Sequence, residues 1–348
     1  MPKQVRHDRF QLIFMKNLLP LSLLLLTACE LPPRQAQTAV STTETALAAV
    51  TFAEGEEEYV MVTPLINLPL YVNHDQKAFK AWGKQNGVKT SIIGPADWDI
   101  PGQIAAIEQV IGTRPAGLLI NGTDPGIAQA IDRAVAAGIP TVVYDSDVKS
   151  NRHCFLGTDW YEMGRLQGEA MARHTGGRGK VACLGIFGLS NQEAGFRGVR
   201  DALKQFPKME FLGNYGVKGD LEDAARVAAD LLSAHPDLAG LCGFTSETGP
   251  GIALAVKEAG KVGKVKITTV DAEPEHLKLV KQGVIQHLVG QKRELFTWYG
   301  AQFLHDLVHR TNALTANDRK AGVVAVPSSV STGQVEIDAG NVDLFLKK

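Results

Sequence analysis

The chain is poor in the residues that announce the commoner chemistries. Four cysteines in 348 residues are too few for a disulfide framework at this size, and there is no CxxC or Cys/His spacing of the zinc type. The nine histidines are read without a metal-ligand pairing, so neither a metal nor a cofactor is expected. Formal net charge is −1, which gives no reason to expect nucleic acid as a partner. The patterns GxSxG, GxxxxGK[ST] and a strand-to-helix GxGxxG are all missing. That argues against nucleophile-elbow hydrolases, P-loop enzymes and dinucleotide-dependent oxidoreductases, and the chain is not read as an enzyme. Long apolar runs are scarce too. The one at 18–26 is broken by Pro20 and Ser22 and is too short to span a bilayer comfortably.

That run follows Lys3, Arg6, Arg9 and Lys16, the layout of an export signal over 1–28. It ends in Leu26-Thr27-Ala28-Cys29, which resembles the bacterial lipobox and implies that Cys29 becomes a lipidated N-terminus. Several acyl chains, at about 0.8 kcal/mol per buried methylene, would hold the protein to a membrane. Residues 29–58, with Pro32-Pro33 and many Gln, Thr, Ala and Glu, have little to bury and read as a flexible tether. The expected location is periplasmic or cell-surface, anchored by lipid.

From residue 59 the apolar pattern alternates between strand and helix. Strands are expected over 60–66, 88–93, 116–120, 141–147 and 154–157, then again over 180–186, 210–217, 238–244, 265–271 and 284–289. Repeated units of this length predict an α/β fold of two Rossmann-like, doubly wound lobes with parallel sheets, joined by a multi-strand hinge. A late helix over 295–309 is expected to return to the first lobe. The expected lobes are therefore 59–158 plus 291–320 and 159–290 plus 321–348.

The stretch Thr141-Val142-Val143-Tyr144-Asp145-Ser146-Asp147 organises the first lobe. It is a short apolar strand ending in two acids, and open parallel sheets bind small ligands at such carboxyl ends. A carboxylate there can accept two hydroxyl hydrogen bonds, as a polyol or sugar offers; alternatively, both acids merely cap the turn. Trp298 is read as core, whereas Trp98 and Trp160 are left open as stacking faces. Cys154, Cys183 and Cys242 are read as buried free thiols.

Over residues 59–291 the chain resembles the ribose/glucose-type sugar-binding proteins of bacterial ABC transporters, with the type I periplasmic-binding fold. The resemblance rests on Asn67-Leu68-Pro69-Leu70-Tyr71, Tyr144-Asp145-Ser146-Asp147, Leu156-Gly157-Thr158-Asp159, Ala234-His235-Pro236-Asp237, Gly249-Pro250, Val270-Asp271 and Gly290-Gln291, in this order and spacing. It implies a monosaccharide or polyol ligand, an ABC permease as partner, and a monomer that closes around its ligand. It also implies a site made of Tyr71 as stacking aromatic, Asp145 and Asp271 as one carboxylate per lobe, Thr158 and Gln291 at the hinge, and Asn191 as a further polar contact. A sensing role, through a membrane kinase or chemoreceptor, is the alternative. Two departures stand out. Gly195 takes the place of an arginine common in the family, with Arg197 half a turn on, and Thr245-Ser246-Glu247-Thr248 replaces a loop that usually offers asparagine.

Overall fold

The computed structural model describes residues 57–346. The export signal, Cys29 and nearly all of the tether lie outside the described residues.

In chain order the first lobe contains β1 (Glu58–Val62), α1 (Lys77–Asn86), β2 (Lys89–Ile93), α2 (Ile100–Thr113), β3 (Gly117–Asn121), α3 (Ala128–Ala136), β4 (Thr141–Asp145) and β5 (Cys154–Gly157). The second continues with α4 (Trp160–Thr175), β6 (Arg178–Gly185), α5 (Ser190–Leu203), β7 (Lys208–Gly216), α6 (Leu221–Ala234), β8 (Leu238–Gly243), α7 (Thr248–Glu258), β9 (Lys266–Val270), α8 (Pro274–Lys281) and β10 (His287–Gln291). The chain then runs through α9 (Arg293–His309), α10 (Asp318–Ala321), β11 (Ser329–Ser331), β12 (Gln334–Ile337) and α11 (Val342–Phe345).

The two sheets are ordered β11-β5-β4-β3-β1-β2 and β12-β10-β9-β8-β6-β7. The first is parallel throughout, and the second is parallel except for β12, which runs antiparallel to β10. Central strands such as β3 and β4 are buried along their whole length, because helices cover both faces. Residues Leu119, Val142 and Tyr144 pack toward α1 and α9, while Leu118, Ile120 and Val143 pack toward α2 and α3. The second sheet is covered in the same way by two further cores.

Three connections join the lobes: after β5, after β10, and between β11 and β12. The last corrects the expected return at residue 321. Strand β11 still pairs with β5, so the chain re-enters the second lobe only at β12. A three-residue strand, Ser-Val-Ser, has one apolar residue and no periodicity to read.

Two local details differ from expectation. The strand expected over 141–147 stops at Asp145, whose φ of 76° is incompatible with extended backbone. A six-residue π-helical turn, Tyr71–Gln76, precedes α1 and buries Tyr71, Asp75 and Gln76. Such turns are rare and are enriched at functional sites. Cys154, Cys183 and Cys242 are buried and free.

Candidate functional site

Each lobe repeats one strand order, so each has a switch point where neighbouring crossovers diverge at the carboxyl ends of its strands. Asp145 follows from the fourth strand of the first lobe and Asp271 from the fourth strand of the second. Both are buried, and both hold left-handed backbone, at φ 76° and 69°. Asp tolerates this region better than branched residues do, yet each such residue costs on the order of 1–3 kcal/mol. Two strained carboxylates at matching strand ends are a pairing that core packing alone does not require.

The centre of the site is Arg293, the first residue of α9, which is 3% exposed. Its Nε and Nη2 donate to Asp75 at 2.9 and 2.7 Å, and its Nη1 and Nη2 donate to Asp145 at 3.0 Å each. Nη1 also donates to the Gln291 Oε1 at 2.9 Å. All five N–H groups of the guanidinium are thereby used, in two carboxylate forks. Its plane lies over the Tyr71 ring at 5.1 Å and near Phe296 at 5.5 Å. Asp145 also accepts from Asn121 Nδ2 at 3.3 Å and Gln291 Nε2 at 3.5 Å, and Gln291 Nε2 lies 3.4 Å from Thr158 Oγ1. Thr297 donates to the Asp75 carbonyl at 2.8 Å, which fixes the π turn against α9. Burial pushes the Asp75 carboxyl up to about 6 even with Arg293 alongside.

The second lobe faces this cluster with Asp271, which accepts from Ser246 Oγ at 2.6 Å and is pushed upward by burial. Glu247 is raised by burial and by the neighbouring Asp271. A cavity of about 30 Å³ separates the lobes, lined by Leu70, His74, Asp271, Glu273, Gln291 and Arg293. Small-molecule pockets run to roughly 300–1,000 Å³. A ligand of sugar size therefore requires the lobes to part or the donors around Asp145 to be exchanged.

Contacts across the mouth join the lobes directly. His74 Nε2 meets Glu273 at 2.6 Å while its Nδ1 meets Glu294 at 2.8 Å, and Ser146 Oγ lies 3.4 Å from Ser190 Oγ. The bonds to Glu273 and Glu294 raise the His74 pKa to about 9. A histidine raised above its usual value of about 6.5 adds stability that is fully present below that pH and is lost as pH rises through 9. The pair is partly solvated, so the effect is about 1 kcal/mol or less. His74→Gln should accordingly lower the melting temperature slightly at pH 7 and not at all above pH 10. An equal difference at both pH values would show that the His74 charge does not latch the lobes.

Residues 59–311 match the family model described as a periplasmic binding protein domain. The chain belongs to the periplasmic binding protein family. Its members are solute-binding proteins rather than enzymes. The chain is 26% identical to the ribose import binding protein of Bacillus subtilis, across 84% of this chain and 92% of the relative. It is 25% identical to the D-allose-binding periplasmic protein of Escherichia coli, across 69% and 81%. Among solved structures it is similar to the sugar-binding protein of a Bacillus halodurans sugar ABC transporter, at 30% identity and TM-score 0.77 over 83% of this chain and all of that one. The arabinose-binding protein AraP of Geobacillus stearothermophilus is likewise 30% identical, with TM-score 0.73 over 83% and 99%.

In this periplasmic binding protein, four of the six expected site residues, Tyr71, Asp145, Thr158 and Gln291, meet around Arg293. Asp271 lines the same cavity from the other lobe. Asn191 is half-buried at the start of α5, where its side chain accepts from the Gln192 amide at 2.8 Å and bonds none of the others. Gly195 is a packing residue: a Cβ there would collide with Phe244, and α4 abuts the same turn through Gly164. Arg197 is exposed, and the arginine that reaches the crevice is Arg293. Asp147 points outward into a two-pronged bond with Arg152 at 2.7 and 2.6 Å. Trp98 is exposed, and Trp160 is buried.

Sequence reading missed Arg293, Asp75 and Asn121. Arg293 did leave a signal. A basic residue at the first position of a helix opposes the macrodipole, so it calls for a specific partner. Asp75 left none, because the π turn that aims it has no pattern of its own.

Proposed function

We propose that this protein captures a neutral monosaccharide between its lobes and presents it, with the lobes closed, to the permease of an ABC importer. One observation carries the reading: two buried aspartates sit at the same strand end of each lobe, Asp271 lining the crevice and Asp145 bonded to Arg293, which lines it as well. A sugar ring offers hydroxyls on several sides, so a carboxylate from each lobe gains its bond only when the hinge is shut. Asp145 and Asp271 are the hydroxyl acceptors in this proposal. Gln291 and Thr158 contribute at the hinge, Asn191 at the rim, and Tyr71 offers an apolar ring surface. The names of the relatives, which bind ribose, allose and arabinose, support a pentose or hexose.

The local charge supports a neutral ligand. Asp75, Asp145, Asp271, Glu247 and Glu273 gather around Arg293 and His74, so an added phosphate or carboxylate meets repulsion. The chain acts as a monomer, and lipid on Cys29 holds it to the membrane beside its permease. The test is a thermal-shift panel on the full chain. It would include ribose, allose, arabinose, glucose and xylose, with ribose 5-phosphate and glucuronate as charged counterparts. A sugar at a hundred times its dissociation constant adds about 2.7 kcal/mol, a clear upward shift. A neutral sugar should shift the transition and its charged counterpart should not. A folded protein unmoved by every neutral sugar would overturn the assignment.

A further inference from the structure

The fold places a second cluster of ligand-type side chains at the far end of the first lobe. Helix α9 begins at the crevice with Arg293 and ends at His309, while Glu57 precedes β1, whose other end points toward the crevice. His305 and His309 stand four residues apart in α9, a pairing that the sequence reading passes over. Residues at this spacing share one helix face. Their ring centroids are 4.1 Å apart, and His309 Nε2 lies 2.8 Å from Glu57 Oε1. One donor atom from each of Glu57, His305 and His309 fits within a span of 4.8 Å.

We propose that Glu57, His305 and His309 form a three-ligand site for a divalent transition-metal ion, remote from the crevice. Two imidazoles and a carboxylate suit a borderline ion such as Zn²⁺ rather than Ca²⁺ or Mg²⁺, which take oxygen ligands. Bonds of about 2.0–2.2 Å require the donors to draw in slightly, a change within reach of side-chain rotation. Three features favour the site over a plain ion pair. The buried Nδ1 of His305 has no hydrogen-bond partner among the described residues, so a polar atom there stands unsatisfied. Its ring is held by Tyr59 and Trp82, at centroid distances of 6.3 and 6.0 Å, while the Tyr59 hydroxyl donates to Glu57 and orients that ligand. The cluster also sits in the last turn of a 17-residue helix, where the dipole favours positive charge. A bound ion would pin Glu57, the residue just before β1, onto the end of α9.

The test uses Zn²⁺ itself, titrated into the full chain purified in detergent without a histidine tag. Co²⁺ follows as a spectroscopic probe. The expected result is one ion per chain, with visible Co²⁺ bands of tetrahedral intensity. His309→Ala, an exposed position, should weaken binding at least tenfold, as should Glu57→Gln, and both variants should keep the wild-type response to sugar. Absence of binding, or binding unchanged in His309→Ala and Glu57→Gln, would overturn the site.

Discussion

Replacing Arg293 with methionine is expected to destabilise the protein by about 3–5 kcal/mol, because the change leaves buried carboxylates without their counter-charge. Asp75 is fully buried and Asp145 nearly so, and each loses a two-pronged bond. Methionine fills much of the same volume, so the loss reports charge and hydrogen bonding more than a cavity. The pH dependence gives the signature. Asp75 is already raised to about 6 by burial, and losing Arg293 moves it higher. A carboxyl raised in the folded state costs stability above its ordinary range and less as pH falls, so the deficit of the variant should shrink between pH 7 and pH 5. Adding Asp75→Asn to Arg293→Met should recover part of the loss. Denaturant titration at both pH values checks this. A variant as stable as the parent at pH 7 would mean that Arg293 does not organise the site.

Asp145→Asn is expected to weaken sugar binding by tenfold or more. A hydrogen bond to a charged group is worth about 1.5–3 kcal/mol, and each 1.4 kcal/mol is a factor of ten. Asparagine keeps the size of the side chain and tolerates the left-handed backbone at this position, so backbone strain is not the cause of the loss. Its amide turns one acceptor into a donor that faces the donors of Arg293 and Asn121. Asp147→Asn serves as the control, because Asp147 is engaged with Arg152 at the surface. Calorimetric titration separates the two: a change of less than twofold in Asp145→Asn would remove it from the site.

What the sequence made legible follows from how each feature is encoded. The buried strands β3 and β4 are continuous apolar runs, and α3 carries its apolar residues on one face, so the two doubly wound lobes could be read from periodicity. Asp145 and Asp271 could be read because an acid directly after an apolar strand marks a strand end. The hinge residue Gln291 was accessible through family likeness at Gly290-Gln291. Features set by tertiary contact were not legible. Asp75 is aimed by a π turn, and β11 is defined by its neighbour β5 rather than by its own residues. The conflict between Arg293 and the helix dipole shows only once the helix start is known. The departure at Gly195 was legible, but its reason, the close contact with Phe244, and the supply of a crevice arginine from α9 instead were not.

The central claim is that one sugar is held by carboxylates from both lobes. The most direct measurement is calorimetric titration, with the neutral sugar giving the largest thermal shift, of the parent protein and of Asp271→Asn. One site per chain is predicted, with affinity in Asp271→Asn reduced at least tenfold, as large a loss as in Asp145→Asn. Unaltered affinity in Asp271→Asn would mean that the second lobe does not grip the ligand, and would contradict capture by closure.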